Sequence, residues 1–167
     1  MAAHDDGMRE TTIRERQAAD LDGCVAALRA VHDADAYPVN WPRDPHAWLA
    51  PPDLLHAWVA EGFGGSIAGH VAVRRPERPS LPAEVSRLFV VPAARRQSIG
   101  RALLDRVVAW AGEQGLALEL NVTDGNRSAA VAFYEATGWR HTHTTPADWT
   151  GPGGAPIMLR YYLLRPG

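Results

Sequence analysis

"LFVVPAARRQSIGRALL", residues 88–104, decides how the chain is read. It begins as an apolar strand, breaks at Pro92, crosses Arg95 and Arg96, and enters a run in which Ile99, Leu103, Val107 and Trp110 share one helical face. A strand that feeds a helix through a short basic loop brings two things together. Backbone N–H groups at a helix start lack intrahelical partners, and the helix dipole adds about half a positive charge there. That is the outline of an anion site. Taken alone, "RRQSIG" is equally an ordinary solvated turn with Ser98 as its N-cap.

Working outward, "TTIRER" at 11–16 reads as a strand. Residues 20–35 read as a helix with Leu21, Val25, Leu28 and Val31 on one face and Asp20 as cap. The proline- and tryptophan-rich stretch that follows predicts a loop with a short helix, capped by Asp44 and opened by Pro45. "HAWVAE" and "SIAGHVAVRR" flank "GFGG" as a hairpin, and "AEVSRLFVV" is the strand that enters the opening stretch. Its helix runs from about Ser98 to about Ala111, with Gly112 and Gly115 at the exit. "LALELNV" is a strand, "NRSAAVAFYEATG" a helix with Gly138 at its C-terminal cap, and "WRHTHTT" and "APIMLRYYLL" are two last strands. This order predicts an α/β (α+β) domain with a mostly antiparallel sheet and one helix-linked strand pair at its centre.

Bulk properties narrow the class. The expected layout is a loose polar tail at 1–10 and one domain over 11–167, enough chain to bury a core with 46% hydrophobic residues. A net charge of −2 argues against nucleic acid as a partner. The single cysteine, Cys24, excludes an internal disulfide and any multi-cysteine metal site. The first ten residues lack the apolar core of a signal peptide, and no apolar run approaches the roughly 20 residues that span a bilayer. A cytoplasmic protein, monomer or homodimer, with no membrane partner is expected.

The quoted stretch resembles the GNAT superfamily of N-acetyltransferases. Leu88, Val90 and Pro92 match its Leu-x-Val-x-Pro signature. Arg95 and Gly100 match the outer positions of Arg/Gln-x-x-Gly-x-Gly/Ala, with Ser98 where the first glycine is usual. The family's second signature is matched by Asn126, Tyr134, Glu135, Gly138 and Trp139, at an Asn-to-Tyr spacing one residue longer than the family's. The element order fits from about residue 10 to 165. The resemblance implies a sheet of six to seven strands, flanked by about four helices and splayed between two central parallel strands. It implies acetyl-CoA as co-substrate, no metal, and a primary amine on a small molecule or peptide N-terminus as acceptor.

Carried onto this sequence, the resemblance places the pyrophosphate of coenzyme A on the loop Arg95, Arg96, Gln97, Ser98, Ile99, Gly100 and Arg101, with Asn126 contributing. It gives the pantetheine arm to the main chain of Leu88, Phe89 and Val90, as an added strand. Tyr134 would protonate the departing thiolate, or else would only pack against the cofactor. An attacking amine must first lose its proton. Glu84 and Glu119, on the strands flanking the central helix, are the candidate bases; either is also an ordinary solvated strand glutamate. Relatives that acetylate protein N-termini carry a glutamate just before the last valine of this strand, where Asn121 stands here.

Other features are weaker. Cys24 reads as a small buried side chain rather than a nucleophile. His141 and His143 lack a third metal ligand. Tyr37, Trp41 and Trp48 alternate with Asp33, Asp35 and Asp44, which suits a cationic acceptor or plain loop packing. Two further classes compete with the enzyme. One is an acyl-CoA-binding module without catalysis. The other is a dinucleotide-binding domain, which the lack of Gly-x-Gly-x-x-Gly after an early strand disfavours.

Overall fold

In the computed structural model, which describes residues 11–123 and 127–166, seven strands form one sheet. They are β1 (Thr12–Glu15), β2 (Leu54–Glu61), β3 (Ile67–Arg74), β4 (Ala83–Val90), β5 (Leu118–Thr123), β6 (Arg140–Thr150) and β7 (Pro156–Leu164). Their spatial order is β1-β2-β3-β4-β5-β7-β6. Every neighbouring pair is antiparallel except β4 with β5. Four helices flank the sheet: α1 (Leu21–Asp35), α2 (Pro45–Leu49), α3 (Ile99–Gln114) and α4 (Arg127–Ala136). The expected tail at 1–10 lies outside the described residues.

The parallel pair follows from the sequence around it. Antiparallel neighbours need only a tight turn, whereas β4 and β5 are joined by a crossover, and α3 is that crossover. Ile99, Leu103, Leu104, Val107 and Ala111 are its buried stripe. They pack on Val71, Val73, Ala83, Val85, Leu118 and Leu120 of the sheet. Gly69 of β3 permits the close fit, since a Cβ there would stand 3.0 Å from Leu103 Cδ1 and 3.1 Å from Ile99 Cγ2. On the opposite face, Cys24, Leu28 and Val31 of α1 form a second core with Leu49, Val59 and Phe89.

Several local expectations need correction. Asp20 does not cap α1: its carboxylate takes the fork of Arg14 at 2.9 Å twice and the amide of Gln17 at 2.7 Å. Gly112 does not end α3. The helix continues to Gln114 and closes on Gly115 at φ 70, where Leu116 N donates to Ala111 O. β6 runs five residues past Thr145, because it is an exposed edge strand held by pairing with β7 rather than by apolar alternation. Asp44 does cap α2, accepting from the Ala47 amide at 3.2 Å. No described helix is long and apolar enough to cross a membrane.

Candidate active site

β4 and β5 pair at only two rungs, Ala83 with Leu118 and Glu84 with Glu119. β5 then continues along β7 while β4 stays with β3. The gap between the diverging strands is a cleft of about 830 Å³. β4 contributes Glu84, Ser86 and Arg87 to its wall, β5 Asn121, and α4 Tyr134. Tyr37 and Trp48 come from the segment after α1, and Asp148 and Tyr161 from the last two strands.

A bulge shapes the β4 side. The register with β3 slips between His70 and Ala72, and Arg87 takes φ 54, in the left-handed region. Ala83 and Val85 face the α3 core. After the bulge Leu88 and Val90 take that face, and Phe89 joins the α1 core. A buried relay fastens the bulge from behind. His70 is fully buried; its Nδ1 lies 2.8 Å from Arg87 O and its Nε2 3.0 Å from an Arg16 guanidinium nitrogen. That same nitrogen donates to Leu49 O at 2.6 Å. The partners set the tautomer: Nδ1 carries the proton and donates, and Nε2 accepts. Burial pushes the His70 pKa down to about 4, so the ring is neutral.

Tyr134 lies in α4, 8% exposed, among the rings of Phe133, Trp139 and Tyr162. Burial pushes its pKa up to about 12, and its hydroxyl has no hydrogen-bond partner among the described residues. A protonated phenol on a cleft wall with no protein partner can donate to whatever the cleft holds. Glu84 and Glu119 face each other across the last rung of the splay. Desolvation raises the pKa of both, and for Glu119 the charge of Glu84 adds to it. Only Glu84 lines the cleft. It also stands 3.7 Å from Arg74, whose guanidinium is held chiefly by Asp53 at 3.0 Å.

The basic loop is built differently from the expectation. Residues Pro92–Gln97 form a 3-10 turn, and Ser98 closes it at φ 58 with no side-chain cap bond. A left-handed residue cannot present its hydroxyl as an N-cap does, so the capping reading of Ser98 is corrected. The position suits glycine, the residue the signature has there. Gly100 is less crowded than expected, since a Cβ there would meet only Val90 Cγ2 at 3.7 Å. Ile99 is buried against the sheet, and the first amides of α3 are the loop's backbone donors without intrahelical partners. Arg95 is committed elsewhere: it pairs with Asp35 of α1, and its Nε donates to Val90 O at 3.0 Å. Arg101 is exposed, 3.9 Å from Asp105. Arg96 and Gln97 lie in the turn, and Asn126 lies outside the described residues.

With the splayed parallel pair, the basic loop and the buried tyrosine in place, comparison with known proteins is direct. The sequence matches the Acetyltransferase (GNAT) family over residues 21–139. The chain belongs to that family. It is 30% identical over 107 residues to mycothiol acetyltransferase of Geodermatophilus obscurus, covering 64% of this chain and 34% of that protein. It is 35% identical over 94 residues to N-acetyltransferase 8 of Mus musculus, covering 54% of this chain and 41% of that protein. The chain therefore spans about two fifths or less of the length of the curated relatives it matches. A ribosomal-protein-alanine N-acetyltransferase from Brucella melitensis superposes with a TM-score of 0.73 at 25% identity, covering 92% of this chain and 99% of that one.

Within this GNAT frame the remaining candidates sort by position. Tyr37 and Trp48 reach the cleft; Trp41 instead packs on His32 and under Arg29. Asp44 and Asp35 serve the cap and the Arg95 pair. Cys24 is buried, its thiol pushed up to about 11 by desolvation. His143 stacks on Tyr161, and no three metal-ligating side chains cluster among the described residues. The groups that sequence reasoning missed are His70, Arg16 and Arg87. The bulge reverses the in–out alternation that would have placed Arg87 on the α3 face.

Proposed function

We propose that the chain transfers an acetyl group from acetyl-CoA to a primary amine by direct attack in a ternary complex. Acetyl-CoA supplies the acetyl group as a thioester and leaves as the thiol. The observation that carries this reading is the hydroxyl of the largely buried Tyr134, protonated and without a protein partner among the described residues, on the wall of the cleft that the splayed strands open. In that state it is a proton donor for the departing sulfur. Glu84 is the base, lifted by its own burial, and its charge in turn raises the Glu119 carboxyl across the rung. A carboxylate lifted by burial toward working pH takes a proton from an ammonium more readily than an ordinary one.

The co-substrate fits the chain's own groups. The first amides of α3, with Arg96, Gln97, Ser98, Gly100 and Arg101 around them, receive the pyrophosphate; Asn126 joins them only by the family signature. The main chain of Leu88, Phe89 and Val90 lies along the splay and receives the arm as a pseudo-strand. The Val90 carbonyl is already used by Arg95, so Leu88 and Phe89 carry that role. One relative is named for mycothiol and one structural neighbour for the alanine of a ribosomal protein, so the names fix no single acceptor.

The test is release of free thiol from acetyl-CoA across a panel of amino acids, polyamines, aminoglycosides and peptides. Tyr134→Phe should cost about 10²-fold in kcat with little change in acetyl-CoA binding. Full activity in that variant, where chemistry limits the rate, overturns the general-acid role. Acetyl-CoA binding without turnover of any amine would instead make the chain an acyl-CoA-binding module.

A further inference from the structure

Arg87 is a charged group of the cleft with no part in that chemistry. Arg87 sits at the bulge, where a left-handed backbone favours glycine and an arginine costs strain. It is nonetheless held at every point but one. Its carbonyl is fixed by His70, and through His70 by Arg16. Its Nε donates to Trp48 O at 3.2 Å, and its guanidinium lies 4.2 Å over the Trp48 ring. Its two terminal nitrogens have no hydrogen bond and no ion pair among the described residues. The other arginine of the cleft, Arg74, is already neutralised by Asp53 and Glu84. On the same wall the Ser86 hydroxyl is buried without a partner.

A half-buried guanidinium whose terminal nitrogens pair with no carboxylate, and which feels Glu84 and Asp53 only at longer range, calls for an anion. The phosphates of the co-substrate are not that anion in the reading above, because they belong at the start of α3. Arg87 instead lines the cleft with Trp48 and Glu84, beside the carboxylate that the reading above sets against the acceptor amine. A planar fork held flat on an aromatic face presents two parallel N–H donors, the pattern that matches a carboxylate bidentately. We infer that Arg87 binds a carboxylate on the acceptor, so that the amine acetylated is that of a free amino acid. Glu84 then faces its ammonium, and the two side chains read opposite ends of one zwitterion. A peptide N-terminus fits less well, because its first carboxyl is a neutral amide. The inference rests on the acetyltransferase reading.

Matched acceptors test it: an amino acid, its α-amide and its decarboxylated amine, each assayed for thiol release from acetyl-CoA. The free acid should exceed the amide by about tenfold or more in kcat/KM, although the amide's amine is the more readily deprotonated. Arg87→Gln should collapse that ratio toward one through the acceptor KM, with the acetyl-CoA KM held, and Arg87→Lys should keep part of it. The corresponding carboxylic acid without the amine should inhibit the wild type competitively against the acceptor. That inhibition and the wild-type ratio decide the matter even if Arg87→Gln does not fold. Turnover with equal or better use of the amide, or a ratio unchanged in Arg87→Gln, overturns the inference and leaves the acetyltransferase reading standing. No turnover of any amine overturns both.

Discussion

At the scale of the residue, Glu84 joins stability to activity. Burial lifts its carboxyl above the ordinary value in spite of Arg74. The folded chain therefore holds this proton more tightly than the unfolded chain, and stability is lost as pH rises from the ordinary carboxylate value through the raised one. Above both values the cost is complete. Glu84→Gln should accordingly be more stable than the wild type at pH 7 to 8. The gain should fade as pH falls through the raised value and be gone below about 4, while the acetylation rate drops at neutral pH. Urea unfolding across that range, beside a pH profile of kcat/KM, checks both; a less stable variant at neutral pH would show that the Arg74 pair outweighs desolvation. Ser98 carries a different cost. Its left-handed φ of 58 supports no cap bond. Ser98→Gly should gain up to about 1 kcal/mol, after the extra freedom of glycine in the unfolded chain is deducted. That is about 2–4 °C in Tm, with acetyl-CoA affinity held or improved.

At the scale of the element, much of the layout was legible and one decisive detail was not. The stripe Ile99, Leu103, Val107 marked α3, and Tyr134 was visible through its place in a known signature. The α3 exit was misread because a glycine within a helix costs only about 1 kcal/mol, and Gly112 is overruled by Ala111 packing beneath it. The bulge at Arg87 left only a faint signal. In "VSRLFV" the polar pair Ser86 and Arg87 interrupts the alternation, but the left-handed turn is imposed by β3 and by His70 behind it. That relay has a consequence in acid. Charging His70 removes the acceptor that Arg16 uses and sets two cations together. With a folded pKa of about 4 against an ordinary 6.5, His70 contributes stability that is whole above pH 6.5 and lost as pH falls toward 4. The amount is about 3 kcal/mol. His70→Gln should start less stable at pH 7, because the bulge carbonyl loses a fitted donor, and should show a flatter slope between pH 6.5 and 4. Denaturant midpoints taken through that interval, for both proteins, are the measurement; parallel slopes would show that other groups carry the acid response.

At the scale of the whole molecule, one sheet separates two cores, and the proposed reading sets a different ligand over each. The α3 core seats Ile99 at the mouth of the basic loop, and the α1 core carries Leu49 and Phe89 beneath the Trp48 and Tyr37 wall. Leu103 and Leu28 are each fully buried, one in each core. Truncating either to alanine should cost about 2–5 kcal/mol. The sheet lies between them, so the double variant should lose the sum to within about 0.5 kcal/mol. Function should divide where stability does not. Leu103→Ala loosens the seat of α3 and should raise the acetyl-CoA KM more than the acceptor KM. Leu28→Ala loosens the segment after α1 and should do the reverse. Chemical unfolding of the two single variants and the double, with both KM values measured below the unfolding range, tests the division. A coupling well beyond 0.5 kcal/mol, or equal effects on the two KM values, would mean that the sheet transmits strain between the faces rather than insulating them.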